Sequence, residues 1–395
     1  MHLRSDLPFW TVRNGLIRVY PPLDTDIRCD ALIVGGGISG ALLAHRLAGK
    51  GVDCVVIDRH DIGNGSTSAS TALLQYEIDT PLHKLRAKVG NQAADRAYLL
   101  GIEAIHRLQK AAGKDCGFAM RPSLQIATVK EDVKALQREC EMRRSVKLPV
   151  AFLDQRDLKS AGFRGAAAIR STVAGEVDPY QLTHRLMRLA LAKGVRVFDR
   201  TTAMRYSPSQ RGVVVKTDRG VTIRAKAVFF ATGYETSTIL PKNIVSFKST
   251  YAFVSEPSDI DWWKDRAIIW GTGNPYMYLR TTHDGRILVG GEDDGVLDPD
   301  RRDRQLGAKT TRLVRRFHSI FPKQEIEPAF AWAGLFGSTK DGLAYIGKHE
   351  CFPNAYFGLG FGGNGITFSE IASRILTDQF LGRKNPDTDV FRFER

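Results

Sequence analysis

The chain has 395 residues, enough for one large domain or two interleaved ones, and its 43% hydrophobic and 25% charged residues are typical of a globular protein. It has no run of about 18 apolar residues and no basic flank before an apolar core, so we expect neither a membrane span nor a secretory signal. Its five scattered cysteines lack C-x-x-C spacing, so we expect no disulfide framework, no metal site and a cytoplasmic location.

The formal net charge of +14 includes two basic stretches, residues 185–226 and 301–317. Such clusters attract nucleic acid, anionic lipid or acidic substrates through their summed field. In the stretch PYQLTHRLMRLALAKG, however, the leucines form an apolar stripe that leaves Arg185 and Arg188 on a solvated face. The basic residues are not interleaved with aromatic residues for base stacking, so we do not expect nucleic acid as a partner.

The first predicted elements form a strand, a helix and a second strand. Residues 31–34 are a short apolar run that suits a buried parallel strand, and a glycine-rich turn follows it. A helical pattern covers residues 38–48, and a second apolar run, 54–57, ends in Asp58. This order is that of a βαβ unit.

The glycine turn carries the chemistry of dinucleotide binding. Gly35, Gly37 and Gly40 fit G-x-G-x-x-G: the first permits the tight turn, the second lets backbone approach a pyrophosphate, and the third lets the helix pack on the strand. Asp58, at the end of the second strand, can accept hydrogen bonds from a ribose. Strand, helix, strand and acid in this order predict a dinucleotide site.

The rest of the chain alternates between helical and strand patterns. A loop rich in hydroxyl residues precedes a long predicted helix over about 81–112, and a second helix is expected over 178–194. One strand, 245–257, alternates as a half-exposed antiparallel strand should. The other expected elements are strands at 195–206, 212–217, 225–233, 276–282 and 285–294, a helix at 303–317, and a closing strand, glycine turn and helix at 355–382.

These segments resemble the glycine oxidase and D-amino-acid oxidase superfamily of FAD-dependent oxidoreductases. The likeness covers nearly the whole chain through GGGISG, GSTSASTALL, GEVDPYQLTHRL, ATG, RTTHDGRILVGGEDD, WAGLFGSTKDGLAYIG and GLGFGGNGITFS. It implies an α/β fold in which a Rossmann-like FAD-binding domain is interleaved with an antiparallel-sheet α+β substrate domain. The implied FAD-binding domain comprises 1–80, 150–240 and 325–395, and the substrate domain comprises 81–149 and 241–324.

The resemblance also implies which residues contact FAD. They lie in the glycine turn, at the acid and arginine after the second strand, in the hydroxyl-rich loop, at the adenine edge, in ATG, and in the last glycine turn. They are Gly35, Gly37, Ile38, Ser39, Gly40, Asp58, Arg59, Ser66, Thr67, Ser70, Thr71, Ala72, Leu73, Ala203, Ala231, Thr232, Gly233, Gly362, Gly363, Asn364, Gly365, Ile366 and Thr367.

Three positions depart from family patterns. Glycine-oxidase-like members have an arginine that pairs with the substrate carboxylate where this chain has Phe336, and phenylalanine cannot form that pair. Sarcosine-oxidase-like members place a lysine at Thr367 and attach flavin through a cysteine that aligns with Gly334. We therefore expect non-covalent FAD, and simple α-amino-acid specificity does not carry over.

The candidate substrate-binding residues are Gln75, Glu77, Tyr276, Tyr278, Arg280 and Phe336. Arg280 can replace the missing carboxylate ligand if it shares a face with Tyr276 and Tyr278. Glu77 can bind an amine, or it is simply an exposed loop acid. We assign no catalytic residue, because hydride transfer from a C–N bond to flavin requires no acid or base side chain.

The predicted function is therefore FAD-dependent oxidation of an amine or N-substituted amino acid to an imine, with a small molecule as substrate. One alternative is a dehydrogenase of a hydroxy acid or polyol phosphate, because DIGNGSTSAS also resembles the flavin loop of glycerol-3-phosphate dehydrogenases. An alternative of another class is a flavin-dependent RNA-modifying factor that uses the basic stretches. The sequence leaves the electron acceptor and the oligomeric state open.

Overall fold

The computed structural model describes residues 2–5, 7–240, 244–273 and 275–395. The helices are α1 (Phe9–Asn14), α2 (Ile38–Ala48), α3 (Ser66–Ala69), α4 (Leu82–Val89), α5 (Asn91–Ala112), α6 (Val133–Ser145), α7 (Gln155–Ser160), α8 (Pro179–Leu191), α9 (Pro299–Arg304), α10 (Leu306–Ile320), α11 (Gly365–Phe380) and α12 (Thr388–Phe391). The strands are β1 (Ile27–Val34), β2 (Cys54–Ile57), β3 (Leu73–Leu74), β4 (Ala119–Ala127), β5 (Val150–Leu153), β6 (Ala167–Glu176), β7 (Arg196–Phe198), β8 (Ala203–Ser209), β9 (Gly212–Thr217), β10 (Thr222–Phe230), β11 (Ser246–Ser255), β12 (Ile268–Gly271), β13 (Met277–Thr281), β14 (Ile287–Asp294), β15 (Pro328–Ser338), β16 (Tyr345–Lys348) and β17 (Ala355–Leu359).

The first sheet has the strand order β16-β17-β10-β1-β2-β7, with β9 also beside β10 and β8 beside β9. Its centre is parallel: β1 lies between β10 and β2, and β17 continues beyond β10. Residues 31–34, 54–57 and 227–230 of these strands are continuous apolar runs, as expected for parallel strands buried on both faces. α2, α5, α8 and α11 bury their apolar sides together with the strands in one core.

The second sheet has the order β15-β11-β14-β13-β12-β4-β6-β3, with β5 beside β6. Most of its pairings are antiparallel, and β4 with β12 is parallel. α10 covers one face and packs against β11 through Leu313, Phe317 and Ile320. A mixed sheet and a largely parallel sheet in one chain confirm the predicted α/β fold class.

The predicted βαβ unit is confirmed, with α2 and β2 at the expected residues. The long helix expected over 81–112 is instead two helices, α4 and α5. Gly90 separates them with a φ of 83°, a left-handed conformation that ends a helix.

Strand β11, which the sequence predicts to be half-exposed, is partly exposed only at its start. In β11, residues 251–254 are buried on both faces. Tyr251 and Phe253 face α10, whereas Ala252 and Val254 pack with Phe9 and Trp332. The prediction differs from the structure because the alternation of polar and apolar residues along a strand does not show which tertiary contacts bury it.

The two sheets do not coincide with the predicted domain boundaries at residues 150 and 325, which stay predictions. β5 and β6, which the prediction places in the FAD-binding part, pair in the second sheet with β4, and β15 pairs there with β11. α5, which the prediction places in the substrate part, packs in the helical layer of the first sheet. The division into two domains itself stays a prediction.

The basic stretches are largely engaged within the protein. Lys309 and Arg302 are buried, and Glu292 pairs with both Arg312 and Arg316. In the other stretch, Arg185, Arg196 and Arg200 form ion pairs with Asp115, Asp53 and Asp199, respectively. Among the helices of the described residues, none is long and apolar enough to cross a membrane.

Candidate functional site

An elongated cavity of about 660 Å³ is lined by both sheets. We call the part lined by the glycine turn, Asp58, residues 66–73, Ala203, residues 231–233 and 362–366 the nucleotide half. The substrate half is the part lined by Gln75, Glu77, Asp79, Lys248, Thr250, Trp270, Tyr276, Tyr278, Asp293 and Phe336. All of the predicted site residues line the cavity except Gly40, Arg280 and Thr367.

The nucleotide half begins where β1 ends and α2 begins. Gly35 has a φ of 111°, so only glycine fits this turn without strain. The Gly36 amide donates to Asp58 Oδ2 at 2.6 Å, and the His60 amide donates to Oδ1 at 2.8 Å. Burial raises the pKa of Asp58 to about 6, against the lowering effect of these two amides. The acid thus sits beside the glycine turn, as the sequence predicts.

Gly40 lies behind the turn rather than in the cavity. A Cβ on Gly40 would lie 1.9 Å from the Gly35 carbonyl oxygen. Gly40 thus allows close packing of α2 on the turn, and its contact with FAD stays a prediction.

The loop of residues 66–73 is held from outside the cavity through three consecutive carbonyls. Trp332 Nε1 donates to the Ala69 carbonyl at 2.9 Å, and Trp10 Nε1 donates to that of Ser70 at 2.7 Å. Arg280 Nε donates to the Thr71 carbonyl at 2.7 Å. These donors fix the path of the loop, including Ala72, whose φ of 52° is rare for a residue with a side chain.

The guanidinium of Arg280 holds backbone carbonyls rather than lining the cavity. Its guanidinium also donates to the carbonyls of Thr281 and Val177 and lies 3.8 Å from Glu176, so its donors are already engaged. The residue follows the alternation of Tyr276 and Tyr278, but the loop of residues 66–73 lies between its guanidinium and the cavity. These contacts disfavour Arg280 as the substitute carboxylate ligand, a role that stays a prediction.

We expect Trp10→Phe to weaken FAD binding several-fold and to lower the melting temperature. The change leaves the Ser70 carbonyl without its indole donor, and an unsatisfied buried acceptor costs about 1–3 kcal/mol. FAD titration of the apoprotein and thermal unfolding measure the two effects. Trp262→Phe removes an equivalent bond, to the Asp259 carbonyl, away from the cavity. Equal FAD affinities for the two variants would contradict the prediction.

The other end of the nucleotide half is the start of α11. Gly362 has a φ of 54°, and Gly363 and Gly365 complete a turn without side chains. Asn364 Nδ2 donates to the carbonyls of Gln75 and Glu77 at 3.0 and 2.9 Å. Thr367 Oγ1 donates to the Gln75 carbonyl at 3.1 Å and is buried, so its side chain anchors this segment, and the contact of Thr367 with FAD stays a prediction.

Phe336 and Lys248 are cross-strand partners on β15 and β11, and both line the substrate half. Phe336 therefore lines the cavity next to Lys248, a cation that was not predicted as a site residue. Tyr276, just before β13, and Tyr278, within β13 of the same sheet, also line this half, with ring centroids 5.7 Å apart.

Glu77 is not an exposed loop acid, because only 4% of its surface is accessible. Its Oε1 accepts a hydrogen bond from Ser123 Oγ at 2.8 Å, and Arg143 Nη1 lies 4.0 Å away. Burial raises the pKa of Glu77, and the Arg143 guanidinium opposes this increase.

Five residues of the substrate half were not predicted from the sequence: Asp79, Lys248, Thr250, Trp270 and Asp293. For Lys248 and Thr250 a signal existed, because they alternate with the apolar face of β11 and so face the cavity. For Asp79, Trp270 and Asp293, no local pattern marks the side chain as a cavity residue.

The nucleotide half fits FAD. Ser66 Oγ is buried there without a hydrogen-bond partner, and neither α2 nor α11 has a side-chain bond from its N-cap residue. Helix N-termini offer amides and a positive dipole to a diphosphate. A Cβ on Gly362 would lie 2.5 Å from Asp79 Oδ2, so Asp79 can approach this turn only with glycine there.

This combination of a Rossmann-like sheet, a glycine turn, an acid after β2 and a second sheet over the cavity defines a dinucleotide-binding protein with a separate substrate compartment. The family DAO, described as FAD dependent oxidoreductase, matches residues 30–379. The chain belongs to this family of FAD-dependent oxidoreductases, and FAD is its cofactor.

Individual relatives agree with this assignment. Glycine oxidase from Geobacillus kaustophilus (strain HTA426) is 23% identical over 384 residues, covering 93% of this chain and 96% of the relative. Its fold is also similar: the crystal structure of glycine oxidase from Geobacillus kaustophilus has a TM-score of 0.75 at 22% identity and covers 91% of this chain and 96% of that one.

Two further relatives differ in the names they carry. Gamma-glutamylputrescine oxidoreductase from Escherichia coli (strain K12) is 24% identical over 387 residues, covering 92% of this chain and 87% of the relative. L-alpha-glycerophosphate oxidase from Mycoplasma pneumoniae, solved with FAD bound, has a TM-score of 0.74 at 16% identity and covers 92% of this chain and 98% of that one. The predicted resemblance to the glycine oxidase superfamily is confirmed.

Proposed function

We propose that this protein oxidises a C–N bond of an amine or N-substituted amino acid to an imine, with FAD held non-covalently. The observation that carries the proposal is the continuous cavity, in which the nucleotide half leads directly into a substrate half walled by Trp270, Tyr276 and Tyr278. The names of glycine oxidase and gamma-glutamylputrescine oxidoreductase support chemistry at a carbon that bears nitrogen. Gly334, which lines the cavity and offers no thiol, supports non-covalent attachment.

The chain's own residues bind and orient the reactants. Bound FAD supplies a two-electron acceptor, so that a hydride from carbon and a proton from nitrogen leave the amine as a C=N bond forms. The aromatic walls exclude water, which favours the neutral, reactive form of the amine. The N-terminus of α11 directs its positive dipole towards the cavity and stabilises negative charge there.

Charge disfavours a hydroxy acid or polyol phosphate as substrate. Among the described residues that line the substrate half, Lys248 is the single cation, against the acids Glu77, Asp79 and Asp293. An anionic substrate would meet three carboxyl groups and one ammonium group. The loss of charge–charge complementarity opposes its binding.

The test is an anaerobic absorbance titration of the holoprotein with amines, amino acids, hydroxy acids and polyol phosphates. We expect the oxidised flavin band to bleach with a member of the first two classes. Bleaching only by a hydroxy acid or polyol phosphate would assign C–O oxidation instead. If no member bleaches the band, while dithionite does, the proposed C–N oxidation is rejected.

We also propose that ionised Asp58 accepts hydrogen bonds from the FAD ribose, which makes FAD affinity dependent on pH. The free site has a pKa of about 6 at Asp58, and ribose hydroxyl donors lower it in the complex. Affinity is therefore constant well above pH 6 and falls by up to about tenfold per pH unit as the pH drops below it. FAD titrations of the apoprotein between pH 5 and 8 measure this, and Asp58→Asn should bind weakly with little pH dependence. A pH-independent wild type would contradict the proposed role.

A further inference from the structure

The substrate half is acidic although the protein as a whole has a formal net charge of +14. Glu77, Asp79 and Asp293 surround Tyr276, and all three carboxyl groups contribute, after burial, to the raised pKa of its phenol. The acids come from two parts of the chain, the segment after β3 and the end of β14, which only the fold brings together. The imbalance is thus a property of the cavity and not of the surrounding surface.

The cations behind Glu77 do not neutralise this half. Arg143 is fully buried and is the nearest cation to Glu77, but its Nε donates to Glu139 at 2.8 Å. Two carboxyl groups, those of Glu77 and Glu139, therefore share one guanidinium. Glu77 is more than nine-tenths buried and lines the cavity, and its Oε2 has no hydrogen-bond partner. The Glu77 carboxylate therefore has no counter-charge on the side that faces the cavity.

Asp293, at the end of β14, also has an unpartnered oxygen: its Oδ1 is buried without a hydrogen-bond partner. Burial raises the pKa of Asp293 to about 6, despite a hydrogen bond with the Thr250 side chain and the nearby ammonium groups of Lys248 and Lys309. Lys309 is engaged elsewhere, since its Nζ lies 2.7 Å from Asp294. Asp79 is better satisfied, because it accepts a hydrogen bond from the Gly363 amide at 3.0 Å.

Aromatic rings line the space between these acids. Trp270 and Tyr276 have ring centroids 6.4 Å apart, and Tyr276 and Tyr278 are 5.7 Å apart. A row of electron-rich ring faces beside carboxylates is the environment that binds alkylammonium groups, through cation–π attraction and charge pairing. A substrate carboxylate has one candidate partner among the described lining residues, the exposed ammonium group of Lys248.

We propose that the substrate half recognises a second positive charge, so that the substrate is a diamine or polyamine whose remote ammonium group is held by Asp293 and Glu77 among the aromatic rings. This inference rests on the proposed C–N oxidation and names its substrate class. The remote nitrogen stays protonated and does not react. The nitrogen that is oxidised is the other one, in its neutral form, and its electrons pass to FAD as already described.

The first test measures binding without turnover. Holoprotein is titrated calorimetrically with 1,4-bis(trimethylammonio)butane, which has no nitrogen lone pair and cannot form an imine, and with succinate, a dianion of similar length. We expect the dication to bind at least about tenfold more tightly than succinate, because charge pairing with the carboxylates and cation–π attraction to the rings favour a quaternary ammonium group, whereas succinate meets like charge. Tighter binding of succinate would overturn the proposal.

Variants locate the charge that matters. Asp293→Asn should weaken dication binding about tenfold. The control, Asp294→Asn, removes the same charge one residue away, from a side chain that pairs with Lys309, and should leave dication binding nearly unchanged. Because both changes leave the same net charge, a long-range field effect would weaken binding equally in the two variants. Equal effects, or none in Asp293→Asn, would overturn the assignment.

The second test compares substrates that differ only at the remote end: 1,4-diaminobutane, 1-aminobutane and 4-aminobutanoate. We expect kcat/KM to fall in that order, by about tenfold from diamine to monoamine. Preference for 4-aminobutanoate, lost in Lys248→Met, would overturn the proposal while leaving C–N oxidation intact. Dication binding without oxidation of any amine would instead reject the proposed reaction and keep the cation site.

Discussion

Gly40→Ala is expected to yield a protein without bound FAD and with a markedly lower melting temperature. The new Cβ would lie 1.9 Å from the Gly35 carbonyl oxygen, a distance that no side-chain adjustment relieves because both atoms belong to, or are fixed to, the backbone. α2 must move away from the turn or the turn must open. Overpacking of this kind costs on the order of 3 kcal/mol, and it displaces the amides that face the diphosphate.

The matched control is Gly307→Ala in α10. It is the same substitution in a helix, but a Cβ there meets nothing within 4 Å. We expect that variant to be as stable as the wild type or up to about 1 kcal/mol more stable, with normal flavin content. Flavin absorbance per protein after purification and thermal unfolding measure both. If Gly40→Ala retains stoichiometric FAD, the turn does not depend on this contact.

The nucleotide half could be predicted because backbone geometry dictates its sequence. A turn that needs a φ of 111° at Gly35 and tolerates no Cβ at Gly40 leaves a spacing of glycines that is visible without a structure. Asp58 could be predicted from the sequence equally well, because it directly follows a short apolar strand. Such signals are local, so the order of elements suffices to find them.

The support of the flavin loop could not be predicted in this way. The three donors that hold residues 69–71 come from α1, β13 and β15, which are far apart in sequence. Trp10 lies in an N-terminal segment without a recognisable motif, and Arg280 sits in a strand whose alternation correctly predicts its face but not what separates it from the cavity. Only tertiary structure distinguishes a ligand-binding arginine from one that holds a loop.

The acids of the substrate half show the same limit. From the sequence, Glu77 could be either a ligand or an exposed loop acid. Its environment depends on Arg143 in α6 and Ser123 in β4, which are distant along the chain. Asp293 and Asp294 are indistinguishable by sequence, yet one lines the cavity and the other pairs with Lys309. The side chains that determine specificity are thus those whose partners are most distant along the chain.

Arg143→Leu is expected to destabilise the protein by about 3–5 kcal/mol at pH 8, because it leaves buried carboxylates without their shared counter-charge. Arg143 is fully buried; its Nε donates to Glu139 at 2.8 Å and its Nη2 donates to Gln125 at 2.9 Å. Urea unfolding monitored by fluorescence gives the loss. Arg144→Leu, on the same helix but exposed, should change the free energy of unfolding by no more than about 0.5 kcal/mol.

The difference between wild type and Arg143→Leu should narrow as the pH falls from 8 to 5. In the wild type, burial alone would raise the pKa of Glu139, but the Arg143 guanidinium, His83 and the Leu82 amide hold it below its usual value. That depressed pKa contributes stability above the pKa of the unfolded chain, about 4.3, and the contribution is lost as pH falls through the folded value. In the variant, burial acts without the guanidinium and raises the pKa of Glu139 and further raises that of Glu77, so protonation favours the folded state and stability is recovered on acidification. An equal loss in the free energy of unfolding at pH 5 and pH 8 would show that lost packing, rather than uncompensated charge, dominates. The proposed electrostatic role of Arg143 beside Glu77 and Glu139 would then be wrong.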